Sequence, residues 1–185
     1  TGFWNLFHQM IAIGVVLHAQ ENLGLSAQAY GLMLAGGAVG GIAGSMMGER
    51  IGRALGATRT MQGMLAASGP CFILMALAPG PWALGACFAA MEFSGFVWNV
   101  VSVSTRQRLI PDALLGRVNS LYRLLAWGMM PVGLVLSGLV VSLGELVLTR
   151  GAALVLPFWV AGVGSLVVTG LVWAAIARGF AGISR

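Results

Sequence analysis

The sequence contains no lysine, and only 8% of its 185 residues are charged, against about 25% in an ordinary soluble domain. A soluble fold of this length needs a charged, solvated shell, so a soluble single domain is excluded. Cysteine is scarce too. Cys71 and Cys87 lie inside apolar runs with no CxxC or Cys/His spacing, so no metal site or redox motif is indicated and both read as small packing hydrophobes. No GKS or GKT occurs, which removes a Walker A site for ATP. No basic stretch precedes the first apolar run, so that run is not a signal peptide of the usual form. The chain opens at Thr1 rather than at methionine, which reads as a fragment.

What is present is apolar. Hydrophobic residues make up 58% of the chain, and 28 glycines are spread through the apolar stretches rather than gathered in linkers, a distribution suited to close helix packing in lipid. A spanning helix needs about 20 mostly apolar residues, and six such runs are legible, at about 3 to 18, 28 to 48, 59 to 78, 82 to 104, 120 to 143 and 152 to 177. Asn22 to Ser26, Ala78 to Pro81 and Gly144 to Gly151 punctuate them. The expected fold class is therefore an all-α membrane protein, residues 1–185 forming one bundle of six transmembrane helices.

The net charge of +5 comes from ten arginines set against Glu21, Glu49, Glu92, Asp112 and Glu145. The arginines sit between apolar runs, which points to membrane orientation and not to nucleic acid. With six crossings, Arg50, Arg53, Arg59, Arg106, Arg108, Arg117, Arg123, Arg178 and Arg185 fall on the side of the termini, and Arg150 alone falls opposite. The positive-inside rule then places both ends in the cytoplasm, in a multi-pass plasma (inner) membrane protein.

Polar residues inside the runs are few and patterned. Asn5, His8 and Gln9 are spaced to share one side of the first helix. Glu92 lies near the midpoint of the fourth, where an acid costs about 2.5 to 3.5 kcal/mol on insertion scales and marks a cavity or a partner. Glu92, Asn99 and Arg106, seven apart, descend one face towards the cytoplasm. The second run places Gly36, Gly40, Gly44 and Gly48 at intervals of four, a stripe for close approach of another backbone. The fifth carries Gly128, Pro131, Gly133 and Gly138, while the third and sixth carry no central charge. The order polar, glycine-rich, apolar thus occurs twice, as nested three-helix repeats would produce.

Two segments carry a family resemblance. Ser45-Met-Met-Gly-Glu49-Arg50-Ile-Gly52-Arg53, read as a short loop, resembles the pattern G-x-x-x-[DE]-R-x-G-R of the major facilitator superfamily, with Ser45 where the first glycine is usual. Val97 to Arg123, including Arg106, Arg108, Pro111, Asp112, Gly116, Arg117 and Arg123, is similar to the tenth helix, loop and eleventh helix of bacterial drug and siderophore exporters of that superfamily. With Leu23 to Gly31 the resemblance spans nearly the whole chain and implies the C-terminal half, helices seven to twelve, of a proton-coupled antiporter lacking its N-terminal six-helix half. It implies a cytoplasmic gate built from Glu49, Arg50, Gly52, Arg53 and the charged residues of the second segment. Glu92, Asn99, Asn5, His8 and Gln9 would face a central cavity that binds a small molecule and protons. No enzyme activity, cofactor or metal is expected. The alternatives are a six-helix membrane subunit without transport activity, and a rhomboid-like serine protease suggested by Ala67-Ser68-Gly69. The protease needs a histidine base on a later helix, and none follows His18.

Overall fold

A computed structural model describes residues 1–180 as six helices: α1 (Gly2–Leu17), α2 (Ala27–Leu55), α3 (Ala57–Ala76), α4 (Pro81–Leu109), α5 (Asp112–Gly144) and α6 (Arg150–Phe180). Each apolar run lies on one helix, and the described residues contain no strand. α2, α4, α5 and α6 are long and apolar enough to cross a membrane. In their most apolar windows only 17% to 28% of residues are buried within the protein, and side chains such as Leu32, Met46, Leu124 and Leu171 point outward. An apolar exterior of this extent belongs in lipid rather than water.

α1 and α3 are shorter, at 16 and 20 residues. α1 runs directly into the π-helical turn His18–Asn22, which closes with the Leu23 amide donating to the His18 carbonyl at 3.1 Å. α3 carries Arg59, Gln62 and Pro70, which dilute its apolar run.

The helix ends follow local chemistry. Ser26 caps α2, its hydroxyl accepting from the Ala29 amide at 3.2 Å. Gly56, at φ +80°, turns the chain between α2 and α3 in a conformation that other residues rarely adopt. Pro81 occupies the first turn of α4, and Pro111 stands at the N-cap of α5.

Two connections differ from the sequence reading. Ser45 to Arg53 is not a loop: α2 continues to Leu55, so Glu49, Arg50, Gly52 and Arg53 are helical. α4 likewise runs past 104 to Leu109, and α5 starts at Asp112 rather than near 120, so Arg106, Arg108, Gly116 and Arg117 also lie on helices. Hydropathy marks where a helix leaves the apolar layer, whereas the hydrogen-bond ladder stops only at a breaker, here Gly56 and Pro111. Asp112 opens α5, and Arg53, Arg106, Arg108 and Arg178 occupy the last turns of α2, α4 and α6, each sign favoured by the helix dipole at that end. Arg185 lies outside the described residues.

Packing follows a definite pattern. α1 packs on α5 and α6, α4 on α2 and α3, α3 on α6, α2 on α3, and α5 on α6. Exchanging α1, α2 and α3 for α4, α5 and α6 leaves this set of pairs unchanged. Glycine contacts repeat the pattern. Gly40 and Gly44 of α2 lie against the Ala89 and Phe93 carbonyls of α4, as Gly133 of α5 lies against the Leu6 carbonyl of α1. At the α3–α6 contact, a β-carbon on either Gly69 or Gly162 would stand 3.1 Å from the other's carbonyl oxygen. The stripe expected at 36, 40, 44 and 48 is corrected to Gly37, Gly40, Gly41, Gly44 and Gly48, because Gly36 has nothing against it. At about 100° per residue a row of fours drifts by about 40° at each step, so Gly36 lies about 100° round the helix from Gly37 and outside the face that α4 covers.

Opposite the arginine-rich end, Arg150 donates to Glu21 from Nε at 2.6 Å and to Glu145 from Nη1 at 2.7 Å. The Asn22 side-chain amide donates to the Gly151 carbonyl at 2.9 Å. These contacts tie the turn after α1 to the start of α6. The hydrogen bond from Arg150 holds the Glu21 carboxyl below its ordinary range, and Glu21 raises the Arg150 guanidinium in return. A depressed carboxylate stabilises the fold above its unfolded pKa, near 4.3, and loses that contribution as pH falls through the folded value. The difference in melting temperature between wild type and Glu21→Gln is therefore expected to be small but measurable at pH 7 and to shrink progressively as pH falls below the unfolded value. A difference that is the same at low pH as at pH 7 would show that the clamp does not act through this charge.

Candidate functional site

Trp4 and His8 stand one turn apart on the face of α1 towards α3 and α4. Their rings stack at a centroid separation of 4.8 Å, and the Trp4 indole N–H donates to the Ser68 hydroxyl of α3 at 3.0 Å. This fixes the imidazole, whose Nε2 lies 2.9 Å from Glu92 Oε1 on α4. The two side chains are 23% and 17% exposed, a paired acid and base held well inside the helical layer. The contact offsets part of the desolvation penalty that either polar group would carry alone inside the helices.

Glu92 also lines a groove of about 580 Å³ between α2 and α4, where Gly37 and Gly41 leave room for Phe88 and Phe96. The groove is open and predominantly apolar, with Ile42 and Met46 on its α2 side. A carboxyl group at the edge of an apolar recess is suited to an amphipathic small molecule.

The remaining cavity candidates separate. Asn5 turns to α5, donating to the Ala126 carbonyl at 2.9 Å, and so ties two helices together. Gln9 is half-buried, with no side-chain hydrogen bond described, and Asn99 is exposed. The three polar residues of α1 therefore do not converge, because residues three and four apart still diverge by tens of degrees around the axis.

The expected gate residues gather at one end but not into one network. Glu49 pairs with Arg53 at 2.7 Å on exposed α2. Gly52 seats Val101 of α4, and Arg108 turns towards the same α2–α3 end. Arg106 lies elsewhere, its guanidinium 3.6 Å from the centre of the Tyr122 ring on α5 and donating to the Ser102 hydroxyl at 3.1 Å. Arg123 lies over Trp127 at 5.6 Å. Arg50, Asp112 and Arg117 are exposed, with no ion pair among the described residues, and Gly116 is exposed beside them.

Sequence reasoning missed Trp4, Tyr122 and Ser68 as parts of these arrangements. A tryptophan one turn from an intramembrane histidine was the available signal for the first. Ser68, the nucleophile of the protease alternative, accepts from Trp4 and donates to the Met64 carbonyl at 3.0 Å, while His8 is directed at Glu92.

Among known proteins, the chain matches no family model, no curated sequence and no solved structure.

Proposed function

We infer that this chain is one six-helix half of a secondary transporter of the major facilitator kind, which exports a small molecule in exchange for protons by alternating access and performs no covalent chemistry. The observation that carries the reading is the His8–Glu92 pair, 2.9 Å apart inside apolar helices and bordering an open groove. Intramembrane acids and histidines of this kind serve proton relays. The exchange of helix pairs between the two triplets supports an inverted repeat, the arrangement from which such transporters build a midplane site. The groove on α2 and α4 would meet a complementary six-helix half, and cargo would bind between the halves beside Glu92.

Coupling then works as follows. With the groove open to one side, the pair takes a second proton and loses affinity for a cationic or polar cargo. Exposure to the other side releases that proton and restores affinity. At the arginine-rich end the Arg106–Tyr122 contact joins α4 to α5, where helix movement would make or break it, whereas Glu49–Arg53 lies within α2 and moves with it. Contacts between helices bias a conformational equilibrium by about 1 to 3 kcal/mol.

The test is flux. Proteoliposomes holding the protein with its complementary half and a lumenal pH-sensitive dye are expected to show proton movement when fluorescent amphipathic cations or ferric chelates are added. If neither proton nor compound moves with any probe, the chain is a membrane subunit without transport activity.

Orientation is tested separately. In a Cys71→Ala, Cys87→Ala background, cysteines at Asn22 and Gly80 are expected to react with an impermeant thiol reagent on intact cells. Cysteines at Arg50 and Arg117 should react only after permeabilisation. Labelling of position 117 from outside would reverse the assigned orientation.

A further inference from the structure

A second concavity, separate from the Glu92 groove, opens where α2, α3 and α4 meet at the arginine-rich end. It measures about 590 Å³, and its walls include Glu49, Arg53, Arg59 and Arg108. Glu49 is satisfied by Arg53 at 2.7 Å, whereas Arg59 and Arg108 have no ion pair among the described residues. Three guanidiniums face one carboxylate, so the cleft is cationic. Thr58 and Thr105 add hydroxyls to the wall, and exposed Leu55 forms an apolar rim.

The cleft is a consequence of the fold. Gly56 turns the chain sharply, so that the last turn of α2 and the first turn of α3 present Arg53 and Arg59 a few residues apart. Val101 of α4 packs onto Gly52, which brings the following turns of α4, with Arg108, to the same opening. Guanidinium groups present paired N–H donors that match phosphate oxygens. Basic pockets between helices at this depth are suited to lipid head groups, with the acyl chains lying along the apolar exterior.

We propose that this cleft binds a phosphate monoanion or diester, held by Arg59 and Arg108 with Arg53 completing the charge, and that an anionic phospholipid head group supplies it. The proposal depends only on the membrane setting and is independent of the transport reading.

The test uses the purified protein in a neutral detergent. Thermal unfolding and native mass spectrometry are run with added phosphatidylglycerol, phosphatidylcholine or soluble glycerol phosphate. Phosphatidylglycerol is expected to raise the melting temperature and to remain bound in the gas phase, with at least fivefold weaker binding in Arg59→Gln, Arg108→Gln. Arg59→Lys, Arg108→Lys, which keeps the charge, should recover part of the binding. Arg117→Gln, Arg178→Gln, which removes the same charge outside the cleft, should bind as wild type does. An equal shift from glycerol phosphate, lost in the same glutamine variant, would support the phosphate site with a soluble ester as its source. Equal binding of phosphatidylglycerol and phosphatidylcholine, or equal losses in the cleft and control variants, would overturn the site.

Discussion

Under the proposed transport function, replacing Glu92 by Gln is expected to abolish proton-driven accumulation in proteoliposomes that carry the protein with the second six-helix half which that function requires. With one pH unit across the membrane, no potential and one proton exchanged, the driving force is about 1.4 kcal/mol, which supports roughly tenfold accumulation. The Gln variant should fall to no gradient-dependent accumulation while still binding cargo. The substitution suits this test because the Gln amide can accept from or donate to His8 Nε2 at the position of Oε1, 2.9 Å away, so the tie between α1 and α4 survives while the titration is lost. Asn99→Ala, at an exposed position two turns further along α4, should leave accumulation near wild type. If Glu92→Gln retains full accumulation, the His8–Glu92 pair is a packing tie and the proton travels elsewhere.

Two glycines on one helix should respond to the same substitution with opposite signs. A β-carbon at Gly40 would be driven into the Ala89 carbonyl of α4, a backbone atom that cannot rotate aside. Gly40→Ala should therefore force α2 and α4 apart and destabilise the protein by about 1 to 3 kcal/mol, the usual range for overpacking. Gly36 has open space beside it, and Gly36→Ala should stabilise helix α2 by up to about 1 kcal/mol through reduced backbone freedom in the unfolded chain. Unfolding midpoints in detergent would decide the matter. A Gly40→Ala protein as stable as Gly36→Ala would mean that α2 and α4 do not approach as closely as the structure places them. The Gly40 variant should also widen the groove beside Glu92, because Phe88 and Phe96 on the same α4 face pack over Gly37 and Gly41.

The sequence by itself determined the number of helices, the apolar run on each and the collection of arginines towards one end. It did so because hydropathy, helical period and charge are local properties, summed over a window of about 20 residues. It also identified Glu92 and His8 as the residues whose presence in apolar helices needs a reason. It misplaced the ends of α2, α4 and the start of α5, because polar helical turns that leave the apolar layer carry no hydropathy signal. Only the tertiary structure decided that His8, 84 positions away in the chain, meets Glu92, that Asn5 serves α5 instead, and that Gly37 and Gly41 rather than Gly36 face α4. It also decided that Arg53, Arg59 and Arg108, from three helices, share one cleft. Those outcomes depend on the rotation of each helix about its own axis. Rotation is set by contacts between residues far apart in the chain, where a few tens of degrees decide whether a side chain meets a partner helix or faces outward.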